Sequence, residues 1–190
     1  MKNTIIVFVL FYSSLSSFAQ QKLFIDASQS TLHWSATDDH HRGKHNGKIS
    51  FQKGHVIKKD TQITEGMFEV DLYSKLQSYT YDSKTCIPFF SRASFDIKKH
   101  PGAILHILHT AYTGPSSFSS TGYLTINGIR QPISFLSTIK KKELYEVITS
   151  NLVIDPMLWS TQKVPHLISA LSFPKLIEIS LQITIIPDGC

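Results

Sequence analysis

The sequence is poor in cysteine, with only Cys86 and Cys190 among its 190 residues. A chain of this length buries roughly 70% of its unfolded surface on folding, so its core needs no covalent staple. An oxidising compartment would permit a disulfide, but the last residue of a chain tends to fray. No motif around Cys86 predicts a reactive thiolate. The pairing of Cys86 with Cys190 therefore stays open.

The sequence also lacks the motifs of common enzymes and of nucleic-acid-binding proteins. No Gly-x-Ser-x-Gly occurs, and Ser137-Thr-Ile-Lys140 has Ser-x-x-Lys spacing but falls in a predicted strand instead of at a helix start. The formal net charge of +5 is scattered in short basic runs, such as Lys58-Lys59 and Lys140-Lys141-Lys142, that are typical of solvated turns. We expect no catalytic centre, no nucleic-acid binding and at most peripheral contact with a membrane.

The first 19 residues have the pattern of a secretory signal peptide. Lys2 precedes an almost wholly apolar run at 5–15, and Ser17-Phe18-Ala19 has small residues at the spacing of a cleavage site. The run is too short for a stable membrane anchor, although an uncleaved anchor is the alternative. We expect cleavage after Ala19, which would leave a single periplasmic or secreted domain at 20–190.

Apolar residues recur at every second position in several segments, as in half-buried β-strands. The longest such run has isoleucine or leucine at each odd position from Ile177 to Ile185. Asn127-Gly128 separates two alternating segments and favours the primed two-residue turn of a β-hairpin. Pro132 cannot donate to a ladder, so we expect it at a strand start or on an edge. Further strands are predicted within 22–36 and at 48–51, 55–58, 66–72, 103–112 and 143–155, with a tight turn at Lys53-Gly54.

About seven to nine short strands, with no long amphipathic helix, predict an all-β fold. Residues 73–99 lack the period of a strand and contain Pro88 and several aromatic residues. We interpret this part as a crossing segment with one or two short helical turns that partly covers an opening. The pattern favours an antiparallel barrel or sandwich, and closure into a barrel would also remove exposed strand edges. A barrel of about eight strands encloses either packed side chains or one small ligand.

Four motifs, in this order along the chain, resemble those of the YceI-like domain family. They are Ile25-Asp26 with Ser30 and Trp34, then Asn46-Gly47-Lys48-Ile49, then Ser94-Phe-Asp-Ile-Lys-Lys-His-Pro101, and finally Gly122-Tyr-Leu-Thr-Ile-Asn-Gly-Ile-Arg-Gln-Pro-Ile133. The last is the most specific and is similar to the family's Gly-x-Leu-Thr hairpin. The resemblance spans 24–186. It implies an antiparallel up-and-down β-barrel of the lipocalin-like kind, secreted or periplasmic, that binds polyisoprenoid lipids.

A lipid of this kind would occupy the barrel interior. Each buried methylene contributes about 0.8 kcal/mol, so a long chain can bind without specific polar contacts. Alternation alone indicates a packed core more often than a pocket. The resemblance shifts the prediction to a binding site for an isoprenoid or another long-chain lipid, without a cofactor. The candidate ligand-binding residues are Trp34, Phe51, Phe68, Val70, Leu105, Ile107, Leu124, Ile126, Ile133, Phe135, Ile179, Leu181 and Ile183.

A histidine-rich segment supports a second hypothesis. His40, His41 and His45 lie near Asp38 and Asp39, and imidazole and carboxylate groups are ordinary zinc ligands. Their spacing matches no defined metal site, so we predict no metal. A metal-dependent or other enzyme that uses these histidines stays open as an alternative.

Two further interpretations remain at this stage. His106 and His109 are three positions apart, which would place them on opposite faces of a regular strand and make them poor co-ligands. A packed barrel that binds another exported protein through its outer surface is the third functional hypothesis.

Overall fold

The computed structural model describes residues 20–37, 44–72, 99–160 and 176–187. These ranges contain nine β-strands and a 3₁₀ helix (Pro156–Trp159). The predicted crossing segment at 73–99 lies outside the described residues except for its last one. The strands are β1 (Gln20–Phe24), β2 (Thr31–Thr37), β3 (Lys44–Lys59), β4 (Gln62–Asp71), β5 (Gly102–Tyr112), β6 (Ser117–Ile126), β7 (Ile129–Lys141), β8 (Glu146–Ile154) and β9 (Ile177–Ile185).

Strands β2 to β9 form a closed antiparallel barrel. The strand order is β1-β3-β2-β9-β8-β7-β6-β5-β4, and an additional β3–β4 pairing joins the two sides of the sheet. The long strand β3 makes this closure possible, because 44–50 pair with β2 while 51–59 pair with β4. Strand β1 pairs with 55–59, on the edge of β3 that β2 occupies farther along. Barrel strands adjacent in the chain are adjacent in space, which confirms the predicted all-β, up-and-down, lipocalin-like architecture.

The junction between β1 and β2 packs over the end of β9. The Asp26 carboxylate accepts hydrogen bonds from the backbone N–H groups of Ser28 and Gln29. These bonds, and above all one from the Ser28 hydroxyl, lower the pKa of Asp26. The backbone of Asp26 donates to the Thr184 carbonyl, and the Ser30 hydroxyl accepts from the Thr184 N–H, each at 2.9 Å. Thr184 is therefore buried although its neighbours in sequence fill the interior.

The β6–β7 hairpin has the predicted turn. Asn127 and Gly128 both adopt positive φ, at 56° and 75°, as a primed turn requires. Pro132 lies in a part of β7 that has no partner in β8, since pairing with β8 begins only at Leu136. The missing N–H of Pro132 thus leaves no gap in a β7–β8 ladder, which confirms the predicted edge position.

The predicted turn at Lys53-Gly54 is wrong, because β3 continues through both residues. The chain reverses at Asp60 instead, where φ is 57°. Close packing favours glycine at position 54, because a Cβ atom there would lie 2.8 Å from the Phe68 ring. Sequence signals for a turn and for close packing are the same here, because glycine serves both.

A β-bulge corrects the prediction for the two histidines of β5. His106 opposes Tyr123 of β6 and His109 opposes Thr121, so Leu108 is an extra residue without a partner. Residues 121 and 123 share one face of β6, and therefore both histidines lie on the outer face of the barrel. The expectation of opposite faces is wrong because it assumed an unbroken period of two.

The two ends of the barrel differ. We call the end with the β6–β7 turn and the 3₁₀ helix the mouth, and the end with the β3–β4, β5–β6 and β7–β8 turns the closed end. Leu23, Ile63 and Phe118 are almost completely buried at the closed end. The rings of Tyr112 and Phe118 stack there with centroids 5.0 Å apart. Packed side chains therefore fill this end of the interior.

A buried ion pair lies at the closed end. The Lys58 ammonium is 2.7 Å from the Glu146 carboxylate, and the two side chains are 9% and 10% exposed. The neighbouring Tyr112 hydroxyl accepts a hydrogen bond from the Ile63 N–H at 2.9 Å. Burial raises the pKa of Tyr112, and the negative charge of Glu146 raises it further. Polar groups here are thus paired within the protein and shielded from water.

On the outer face, four side chains form a row across four strands. The register aligns His55 of β3 with Met67 of β4, Met67 with His106 of β5, and His106 with Tyr123 of β6. All four are half-buried even though they point away from the interior. Burial lowers the pKa of His55, and positive charge on Lys22 and on His106 lowers it further.

Candidate ligand-binding cavity

An apolar cavity extends inward from the mouth, and all eight barrel strands contribute to its wall. Its volume is about 80 Å³. Among the described residues, the side chains that line this cavity are all hydrophobic: Leu32, Trp34, Ile49, Phe51, Phe68, Val70, Leu72, Ala103, Leu105, Leu124, Ile126, Ile133, Leu152, Ile154, Ile177, Ile179 and Leu181.

The structure brings together most of the residues predicted from the sequence. All thirteen predicted ligand-binding residues line this cavity except Ile107, Phe135 and Ile183. Those three surround a second space closer to the closed end, where the part wide enough for water is only about 10 Å³. Phe68 and Leu105 contact both spaces. The predicted residues thus line both the cavity at the mouth and the smaller space below it in the barrel interior.

The sequence reasoning left out several residues of the cavity wall. They stand on inward faces of alternating segments, so the signal that identified their neighbours was also present for them. The added residues are Leu32, Ile49, Leu72, Ala103, Leu152, Ile154 and Ile177.

Polar side chains occupy the inner face below the apolar cavity. The hydroxyls of Ser137 and Ser150 are 2.7 Å apart and bond to each other. Ser120 is completely buried, and its hydroxyl has no hydrogen-bond partner among the residues the structure describes. The Lys58–Glu146 ion pair follows at the closed end. A few polar side chains therefore lie among the mostly apolar residues between the cavity and the closed end.

Hydrogen bonds hold the 3₁₀ helix against the rim of the mouth. The indole N–H of Trp159 donates to the Leu124 carbonyl at 3.0 Å, and the Asn127 side chain donates to the Trp159 carbonyl at 3.2 Å. Gln131 donates in the same way to the Leu158 carbonyl at 2.9 Å. These contacts secure the stretch of β7 that lacks β8 as a partner. No period-two alternation or motif in the sequence marks Trp159 for this position.

The described residues give no support to the hypothesis of a metal site or a catalytic site. Within them, no group of three or more His, Cys, Asp or Glu side chains could hold a metal ion. His40, His41, Cys86 and Cys190 lie outside these parts, as does the side chain of His45. The hypothesis of an enzyme based on these histidines therefore stays a prediction. None of the helical structure in the described ranges is long and apolar enough to cross a membrane.

Comparison with known proteins identifies the fold. No family model matches the sequence, and no curated protein matches it. Among solved structures, BcnA of Burkholderia cenocepacia superimposes with a TM-score of 0.67 and 15% identity, covering 84% of this chain and 98% of BcnA. The YceI protein of Campylobacter jejuni gives a TM-score of 0.54 and 13% identity, with 100% of both chains covered. The chain therefore has a YceI-like barrel fold.

Proposed function

We propose that this YceI-like barrel is an exported binding protein that holds an isoprenoid or similar amphiphilic lipid in its interior. The observation that carries the proposal is the apolar wall that the described residues form around a cavity that begins at the mouth. Such a wall offers a hydrocarbon chain no polar group that would remain unpaired. The protein would act in transport, storage or stress protection, without catalysing a reaction.

The dimensions of the cavity define how the lipid enters. Pockets for small molecules usually enclose about 300–1,000 Å³, so a cavity of about 80 Å³ is smaller than a long-chain lipid requires. A longer chain enters by displacing lining side chains towards the mouth, which lets apolar surface of the ligand replace apolar surface of the protein. Each methylene removed from water contributes about 0.8 kcal/mol to offset this rearrangement. The polar head group stays at the mouth, because the far side is packed and polar.

Location in the cell forms part of the proposal. Residues 1–19 would direct export and be removed after Ala19, which releases the barrel into the periplasm or the exterior. N-terminal sequencing of the protein recovered from its compartment checks this point, with Gln20 as the expected first residue. A first residue of Met1 would contradict cleavage without bearing on lipid binding.

The lipid proposal is tested by native mass spectrometry of the protein from its own compartment, followed by organic extraction of what it releases. Ala103→Phe fills the cavity near the mouth, where Ala103 is a small and buried part of the wall. Overpacking costs about 1–3 kcal/mol, so the variant should still fold. Ile104→Phe is the matched control. Ile104 follows Ala103 in the same strand, so its side chain lies exposed on the outer face and not in the cavity.

We expect the parent and Ile104→Phe to carry a lipid of polyprenyl type, and Ala103→Phe to carry much less. Geranylgeraniol added to lipid-free protein should likewise bind to the parent and to Ile104→Phe, and much less to Ala103→Phe. Two results would contradict the proposal: a parent protein that neither carries nor takes up lipid, or equal retention by Ala103→Phe. The first would favour a packed barrel that acts through its surface.

A further inference from the structure

Three side chains that can bind metals lie next to one another on the outer face of the barrel. His55 on β3 faces Met67 on β4, and Met67 faces His106 on β5. Adjacent strands are about 4.8 Å apart, which places the backbones of the two histidines about 10 Å apart with the thioether between them. Each imidazole extends several ångströms from its backbone, so both rings can lean over Met67 towards one ion.

The position is partly shielded from solvent. All three side chains are half-buried, which limits competition from water. The register places both histidines on the same outward face as Met67, one on either side of it. The carboxylate of Glu69, two positions from Met67 on the same strand face, is 3.0 Å from the Lys53 ammonium and is thus already paired. The row therefore offers two imidazoles and a thioether as ligands, without a carboxylate.

We propose that His55, Met67 and His106 form a binding site for a soft monovalent metal ion, Cu(I) or its analogue Ag(I). A thioether is a soft ligand that selects Cu(I), and imidazole binds copper as well. Mg²⁺ and Ca²⁺ need oxygen ligands, which the row lacks, and structural zinc sites rarely use methionine. The site is separate from the lipid cavity, because the inward neighbours of these residues form the barrel wall.

The test uses the full chain with its thiols alkylated by iodoacetamide, so that Cys86 and Cys190 cannot bind the metal. Cu(I) is titrated without oxygen in competition with bicinchoninate, and native mass spectrometry counts the bound ions. We expect one Cu(I) per chain. Met67→Leu keeps the size and apolar character of the side chain but removes the sulfur, and should weaken Cu(I) binding roughly tenfold or more. His55→Gln and His106→Gln should weaken it similarly.

Control variants separate this site from other histidines. His33→Gln changes an exposed residue on the outer face of β2 and should leave Cu(I) binding unchanged. The combined replacement of His40, His41 and His45 by Gln should also leave it unchanged. Thermal unfolding of each variant without metal shows whether the barrel is intact.

Four outcomes would overturn the proposal. Three concern Cu(I): a parent chain that binds none, a Met67→Leu variant with unchanged affinity, and loss of binding in the variant that lacks His40, His41 and His45. A preference for Zn²⁺ over Cu(I) that Met67→Leu does not alter would also overturn it. In that case the row would serve the barrel only through packing across its strands.

Discussion

The buried ion pair at the closed end should be a sensitive point of the fold. Glu146→Gln removes the counter-charge from Lys58, whose side chain is only 9% exposed. Removal of one partner leaves an uncompensated charge in a medium that solvates it poorly, at a cost of about 3–5 kcal/mol. Because domains of this type are stable by about 5–15 kcal/mol, the variant should lose a large fraction of its free energy of unfolding.

Urea denaturation followed by tryptophan fluorescence measures this loss. The exposed pair Lys53–Glu69 is the matched control, with a 3.0 Å contact and side chains 69% and 25% exposed. Lys53→Met should cost no more than about 1 kcal/mol, since exposed pairs are well screened by solvent. The double variant Lys58→Met with Glu146→Leu should recover most of the stability, because it removes both charges and fills the space with apolar groups.

Two results would refute this reasoning. One is a Glu146→Gln variant that loses less than about 1 kcal/mol, which would mean that water reaches Lys58. The other is a double variant no more stable than Glu146→Gln, which would mean that the pair makes other interactions that apolar side chains cannot replace.

Two further predictions concern the packing at each end of the barrel. The folded state raises the pKa of Tyr112 above its unfolded value of about 10, so this residue contributes stability below that pH that is lost as the pH rises through the folded pKa. Tyr112→Phe should therefore flatten the decline of the unfolding midpoint above pH 10, and a slope equal to that of the parent protein would contradict this. At the mouth, Trp159→Phe leaves the Leu124 carbonyl without its indole donor and should cost about 1–3 kcal/mol in urea unfolding, with lipid retention unchanged because Trp159 does not line the cavity. An unchanged midpoint would show that another donor reaches this carbonyl.

Period-two alternation carries most of the information about this fold. In β9 the run from Ile177 to Ile185 predicts both the strand and its inward face, because each inward position meets the same apolar interior. Asn127-Gly128 predicts the hairpin turn for a different reason, since few residues accept positive φ at both positions. Local sequence determines these features, and sequence reasoning recovers them.

Features that depend on distant partners are not visible in the same way. Gly54 looks like a turn residue, and only the position of the Phe68 ring explains why a side chain is excluded there. The bulge at Leu108 changes which residues share a face, and no composition signal marks it. Lys58 and Glu146 are 88 positions apart, so their pairing follows from the closure of the barrel and not from either segment. The cavity wall was predictable as a set of inward faces, whereas its narrow width results from how side chains from opposite strands meet.

The position of Gln20 has a practical consequence. The first residue of β1 pairs with Lys59, beside the β3–β4 turn, and so stands at the end of the barrel opposite the mouth. An affinity tag or a surface linkage placed ahead of Gln20 would thus be attached at the back of the barrel, away from the lipid route. Protein immobilised in this way would present its opening to solution in a uniform orientation, which suits measurements of ligand exchange with vesicles flowed across the surface.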